Sequence, residues 1–164
     1  MMANVSSTAR ESLGGRASQR RAISALCVAL TCKRQPLATS TTAVDIETGE
    51  IVWSKVAFEG QVYDNRHDAS SYASPTAVTD GERVYAYFGS RGLYCFDLEG
   101  VLQWEKDLGD MSTRLGFGEG SSPVLHGNKI VVNWDHEGPS FIVAFDTKTG
   151  AQRWRRDRDE PTSW

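Results

Sequence analysis

Cysteine is scarce in this chain. Three occur, Cys27, Cys32 and Cys95, with no adjacent pair and no CxxC spacing. Neither a zinc site nor a disulfide framework is therefore indicated, and Cys95, inside the apolar phrase GLYCFD, reads as a small core residue. Long apolar runs are missing as well: none approaches the roughly 18 residues that span a bilayer as a helix. Clustered cations are absent from most of the length. Residues 41–164 carry 12 basic and 20 acidic side chains, a net −8. Phosphate backbones are held by clustered Lys and Arg, so a nucleic-acid surface is excluded. No Ser/His/Asp or Cys/His combination has the spacing of a nucleophile system.

What is present is a repeat. Trp53, Trp104 and Trp154 stand 51 and 50 residues apart, closing the phrases AVDIETGEIVW, CFDLEGVLQW and AFDTKTGAQRW. A second mark, Ser74-Pro75 and Ser122-Pro123, returns after 48 residues. A period near 50 is that of a β-propeller blade rather than of a helical solenoid. The composition, 40% apolar and 24% charged, is that of a soluble globular protein.

Each period reads as four short strands with tight turns. In the best-marked copy these are PTAVT (75–79), RVYAYF (83–88), GLYCFD (92–97) and VLQWEK (101–106), with a turn at Asp80-Gly81, a corner at 89–91 and a turn at Glu99-Gly100. The second strand puts Val84, Ala86 and Phe88 on one face and Tyr85 and Tyr87 on the other, so both faces of the sheet must be covered. SPVL, KIVVNW (129–134), SFIVAFD (140–146) and AQRW form the next copy, and TTAVDI with IVWSKVA form the last two strands of an earlier one. The expected fold is all-β, a partial propeller with two complete four-stranded antiparallel blades plus part of another. End blades with apolar faces predict aggregation or oligomerisation, the missing blades of the same protein being one set of partners.

Residues 1–40 are set apart from the repeat region, 41–164, with a net +5. Arg20-Arg21 ahead of AISALCVAL outlines a secretory signal peptide. The rival reading makes 24–31 an apolar strand of an incomplete first blade, with the preceding residues disordered.

The phrases resemble the PQQ-like (quinoprotein-type) propeller repeat, whose pattern runs SSPVV…DG…VYV…LYALDxxTGxxxW. The resemblance covers about 41–164 and identifies as scaffold positions Asp45, Gly49 and Trp53, Asp97, Gly100 and Trp104, and Asp146, Gly150 and Trp154. The Asp accepts bonds from the turn's N–H groups, glycine supplies φ > 0, and the indole stacks on the adjacent blade. Family members divide between non-catalytic propellers, such as the outer-membrane protein assembly factor of the β-barrel assembly machinery, and dehydrogenases that hold pyrroloquinoline quinone with calcium. The resemblance to the first branch implies a scaffold without a cofactor, placed in the periplasm or secreted, that binds a protein or small ligand on one face. The dehydrogenase branch is the alternative, with quinone and calcium as its cofactors. Many of those enzymes use an adjacent cysteine pair, which this chain lacks, and no catalytic residue carries over.

Binding residues are expected on the long links between blades, about 59–72 and 107–121, and on the link at 135–139. Together these offer Asp64, Arg66, His67, Asp68, Arg114, Glu119, Asp135, His136 and Glu137. Against that stand plainer expectations. NRHD reads as a solvated loop, GFGEG as a flexible connection without the features of a phosphate loop, and RWRRDRDE as a solvated edge. Successive Asp, His and Glu in WDHEG cannot all turn toward one metal, so no metal site is expected.

Overall fold

The computed structural model describes residues 26–34, 37–61, 67 and 70–163. These build three antiparallel meanders, in which each strand pairs with its sequence neighbours. The first sheet holds β1 (Leu26–Arg34), β2 (Leu37–Asp45) and β3 (Ile51–Gly60). The second holds β4 (Val78–Thr79), β5 (Arg83–Tyr87), β6 (Leu93–Asp97) and β7 (Leu102–Lys106). The third holds β8 (Val124–His126), β9 (Lys129–Trp134), β10 (Ser140–Asp146) and β11 (Gln152–Arg158). Helical structure among the described residues is confined to single 3₁₀ turns at Gly89–Arg91 and Arg114–Gly116. The fold is a partial β-propeller.

Strand alternation supplies two cores. Val84, Ala86, Phe88, Tyr94 and Phe96 turn back onto Val28, Leu30, Ala43 and Trp53 of the first sheet. Tyr85, Tyr87, Leu93 and Cys95, from the same two strands, turn forward onto Ile130, Val132, Phe141, Val143 and Phe145 of the third. The middle sheet is thus covered on both faces, as its two apolar stripes require. Tyr85 keeps its hydroxyl satisfied there by donating to Asp80, at 2.7 Å.

Two strand boundaries differ from the sequence pattern. The first strand of the second blade is shorter than PTAVT, because Pro75 has no N–H and that of Thr76 leaves the ladder to donate to Ser122 Oγ, at 2.9 Å. The Ser-Pro marks therefore interlock, a serine of one blade capping the backbone beside the other's proline. In the first sheet, β1 pairs along its whole length with β2 from Leu26↔Asp45 to Arg34↔Leu37. Strand structure thus begins well ahead of residue 41, and β2 runs across that position. The segment 1–25 lies outside the described residues.

Candidate functional site

The turns that carry the repeated Asp and Gly are built alike. Asp45 Oδ1 accepts from the N–H groups of Glu47 and Thr48, at 2.9 and 3.0 Å. Asp97 Oδ1 accepts from Glu99 and Val101, at 3.1 and 2.8 Å. Asp146 Oδ1 accepts from Lys148 and Thr149, at 3.0 and 2.9 Å. Gly49, Gly100 and Gly150 close these turns at φ of 73°, 78° and 67°. Each indole then reaches the next blade. Trp53 Nε1 donates to Leu98 O at 2.9 Å, and Trp104 Nε1 to Thr147 O at 3.0 Å. Both acceptors are the residue after the repeated Asp.

On one face of these sheets the long connections meet. The 107–121 link is held by three neighbours. Met111 N donates to Ser90 Oγ at 2.8 Å, Ser112 N to His136 Nδ1 at 3.1 Å, and Glu137 N to Ser112 O at 2.8 Å. Because His136 Nδ1 accepts from an N–H, its ring proton sits on Nε2, which faces Pro139 O at 3.3 Å. Glu119, farther along the link, accepts from the hydroxyl and the N–H of Ser90 and pairs with the buried Arg91 guanidinium at 3.5 Å. Gly89 leaves the room that the Glu119 carboxylate occupies. Arg91 also lies over the Tyr72 ring, 4.5 Å from its centroid.

The 135–139 link is tied on its other side. Asp135 is buried and accepts from Arg158 Nε at 2.8 Å, Ser163 Oγ at 2.6 Å and Asn133 Nδ2 at 2.9 Å. Burial works against its charge, but these donors outweigh it and hold the carboxyl below its ordinary range. Glu137 accepts from the hydroxyl and the N–H of Thr162, which also lower its pKa.

Six expected site residues therefore come together: His67, Arg114, Glu119, Asp135, His136 and Glu137. His67 N donates to Phe117 O at 3.3 Å, and the two rings meet edge-on at 5.8 Å. Asp64, Arg66 and Asp68 lie outside the described residues. Glu119, Asp135, His136 and Glu137 engage the chain's own groups, which makes them fasteners of the face. The expectation of a flexible GFGEG connection is corrected by the same bonds: the segment is stitched down at Phe117 and Glu119. The solvated edge expected for RWRRDRDE also has internal partners. Arg153 pairs with Asp146 at 2.6 Å, Arg158 with Asp135, and Arg155 stacks over Phe141 at 3.6 Å.

Fastening leaves two apolar side chains of the link in solvent. Leu115 is 79% exposed and Phe117 42% exposed, with Arg114 exposed beside them. Leu115 is held at φ 54°, a left-handed conformation that costs a branched residue about 1–2 kcal/mol. The sequence hid this pair, since lone apolar residues in a Gly-rich loop carry no periodic signal. Nearby, a cleft of about 240 Å³ between the first and second sheets is lined by Phe58, Arg91, Tyr94, Lys106, Asp107 and Asp110.

A family model described as outer membrane protein assembly factor BamB matches residues 38–163. The chain belongs to this family. No curated protein matches it. Among solved structures, BamB from Moraxella catarrhalis is 22% identical, with a TM-score of 0.55, over 80% of this chain and 34% of that one. A europium-containing methanol dehydrogenase is 13% identical, with a TM-score of 0.54, over 83% and 23%. The quinohemoprotein alcohol dehydrogenase ADHIIG from Pseudomonas putida HK5 is 16% identical, with a TM-score of 0.52, over 80% and 19%. The chain spans about a third or less of each of these proteins. At such identities the likeness shows the propeller fold that BamB shares with the dehydrogenases.

The described residues do not fit pyrroloquinoline quinone with calcium. Among them no three His, Cys, Asp or Glu side chains converge as metal ligands. Cys32 and Cys95 lie on different sheets, and burial pushes the Cys95 thiol up to about 12.

Proposed function

We propose that the chain is a non-catalytic propeller scaffold of outer-membrane protein assembly, acting outside the cytoplasm and binding a protein partner through its link face. The observation that carries this reading is the exposed pair Leu115 and Phe117 beside Arg114, on a link already pinned by Ser90, His136 and Glu119. Apolar and arginine side chains on a pre-ordered loop bind a protein surface without the entropic cost of fixing the loop first. His67, Arg114, Glu119, Asp135, His136 and Glu137 shape that face, and Asp64, Arg66 and Asp68 belong to the neighbouring link. BamB family membership supplies the class of partner, the protein components of an outer-membrane assembly apparatus.

The test is capture of purified, detergent-solubilised β-barrel assembly machinery by the immobilised chain. The double substitution Leu115→Asp with Phe117→Asp should abolish capture and leave the far-ultraviolet strand signal unchanged. Capture that survives the substitutions overturns the choice of face. Alcohol-dependent dye reduction after addition of the quinone and calcium would place the chain in the dehydrogenase class instead.

A further inference from the structure

Ser112, three residues before Leu115, is gripped by the 135–139 link through both of its backbone groups. Its N–H donates to His136 Nδ1 at 3.1 Å, and its C=O accepts from Glu137 N at 2.8 Å. Two residues on, Arg114 N donates to Thr162 Oγ1 at 3.0 Å, and the Thr162 hydroxyl donates to the Glu137 carboxylate at 2.7 Å. These bonds hold the stretch that leads into Leu115 and Phe117. Of their acceptors, the imidazole is the one that a proton converts into a donor near neutral pH.

The ring has little room to turn away and keep that bond. It is buried, Trp134 meets it edge-on at 6.1 Å, and a Cβ on Gly138 would stand 2.6 Å from its Cε1. A proton on Nδ1 sets two donors, the ring's own and that of Ser112, against each other, and the tether is lost. Charges on every side bear on that proton. Asp135 and Glu137 flank the ring in the chain, and the Glu137 carboxylate lies within its electrostatic reach. Burial opposes the charge of Asp135, yet Arg158, Ser163 and Asn133 hold its carboxyl below the ordinary range, and Thr162 does the same for Glu137. Both therefore stay negative through the range in which imidazoles titrate, and they favour a protonated ring. Arg114 from the 107–121 link and Arg158 from β11 act against it, and Glu160, whose C=O accepts from Ser140 Oγ at 2.6 Å, is the acid of the closing segment.

We propose that protonation of His136 unlatches the 107–121 link and so weakens partner binding by the link face in mild acid. The regulation rests on the reading of Leu115 and Phe117 as the docking pair. With a neutral ring, Ser112 is held and the two apolar side chains are presented on an ordered loop. With a protonated ring, that stretch keeps Ser90 at Met111 and Thr162 at Arg114 but loses the bond between them. The freedom regained must then be removed on binding. His67, the other imidazole of the face, holds the link through its backbone N–H to Phe117 O, which no proton alters.

Amide exchange over 107–121 in the full chain, corrected for intrinsic rate, is compared at about pH 8 and about pH 5.5, on either side of imidazole titration. Exchange at Ser112 should rise about tenfold in acid, the equivalent of one lost hydrogen bond. His136→Asn keeps an acceptor oxygen where Nδ1 stood but takes up no proton, so its exchange should be level. His67→Gln should retain the wild-type step. In the wild type itself, the His136 ring nitrogens and the Ser112 amide, followed by NMR, should titrate with one midpoint. Capture of the solubilised assembly machinery should weaken about tenfold over the same interval, and by His136→Asn it should not change with pH. A level wild-type exchange rate, a step that persists in His136→Asn, or separate midpoints overturn the proposal. Capture that needs Leu115 and Phe117 yet stays level with pH overturns the regulation and leaves the docking reading standing. Capture that survives replacement of both side chains overturns the docking reading and the regulation with it.

Discussion

The hydrogen that stands in for a side chain at Gly100 faces the indole of Trp53, and the one at Gly150 faces that of Trp104. Glycine is needed at these positions for two separable reasons, the left-handed backbone and the close approach of a ring. Gly49 has the first reason without the second inside one chain. Gly49→Ala should therefore cost about 1–2 kcal/mol, the conformational penalty alone. Gly100→Ala and Gly150→Ala should cost more, because the ring must also withdraw and its indole hydrogen bond, worth about 1 kcal/mol, is strained with it. Denaturant unfolding at a protein concentration too low for association measures all three. Equal losses would show that the rings yield freely and that the close packing contributes nothing.

The link at 107–121 is an element whose order comes from side chains of other elements. It forms no strand, and its fixed shape depends on Ser90 and His136 accepting from its N–H groups and on Ser90 donating to its own Glu119. Ser90 serves twice, accepting from Met111 N and donating to Glu119. Ser90→Ala should leave the sheets intact and speed amide exchange at Met111 by about tenfold, the equivalent of one lost hydrogen bond. Exchange is followed by mass spectrometry on peptides spanning 107–121 and 140–146. An unchanged rate at 107–121 would mean that the backbone holds the link without that hydroxyl. If the Leu115–Phe117 pair binds as proposed, the same substitution weakens capture of the partner, since loop ordering then falls within the binding step.

At the scale of the whole molecule, stability is divided unequally among the sheets. The second is covered on both sides, while the third is covered on one and relies on carboxylates at its margins. Asp135, Glu137 and Asp146 all belong to the third sheet or its link, and all are held below their ordinary values. Burial opposes ionisation of Asp135 but its donors prevail, Thr162 lowers Glu137, and Arg153 foremost lowers Asp146. The sign follows from linkage: a carboxylate with a depressed folded pKa stabilises fully above its unfolded value and loses that contribution as pH falls through the folded one. The unfolded values are near 3.8 for Asp and 4.5 for Glu. Acidification below that range should loosen 140–158 before 83–97. Amide exchange compared at about pH 6 and pH 3, corrected for intrinsic rate, measures it. Loosening of both segments in step would show one cooperative unit instead.

Repetition and alternation were legible from the residues alone. The stride of Trp53, Trp104 and Trp154 identified the blade, and the opposed stripes of RVYAYF identified a sheet buried on both faces, because strand periodicity is local and survives without knowledge of neighbours. The turn chemistry of Asp45, Asp97 and Asp146 was equally readable, since its donors lie within four residues. Which polar residues of the link face fasten it and which apolar side chains stay exposed was decided in three dimensions. Glu119 meets Ser90 across 29 positions and Asp135 meets Arg158 across 23, and no local pattern encodes such distances. Leu115 and Phe117 stand out only once those pairings have claimed the charged residues around them. The chain order specified each sheet, and the packing of one sheet on the next determined what its surface offers.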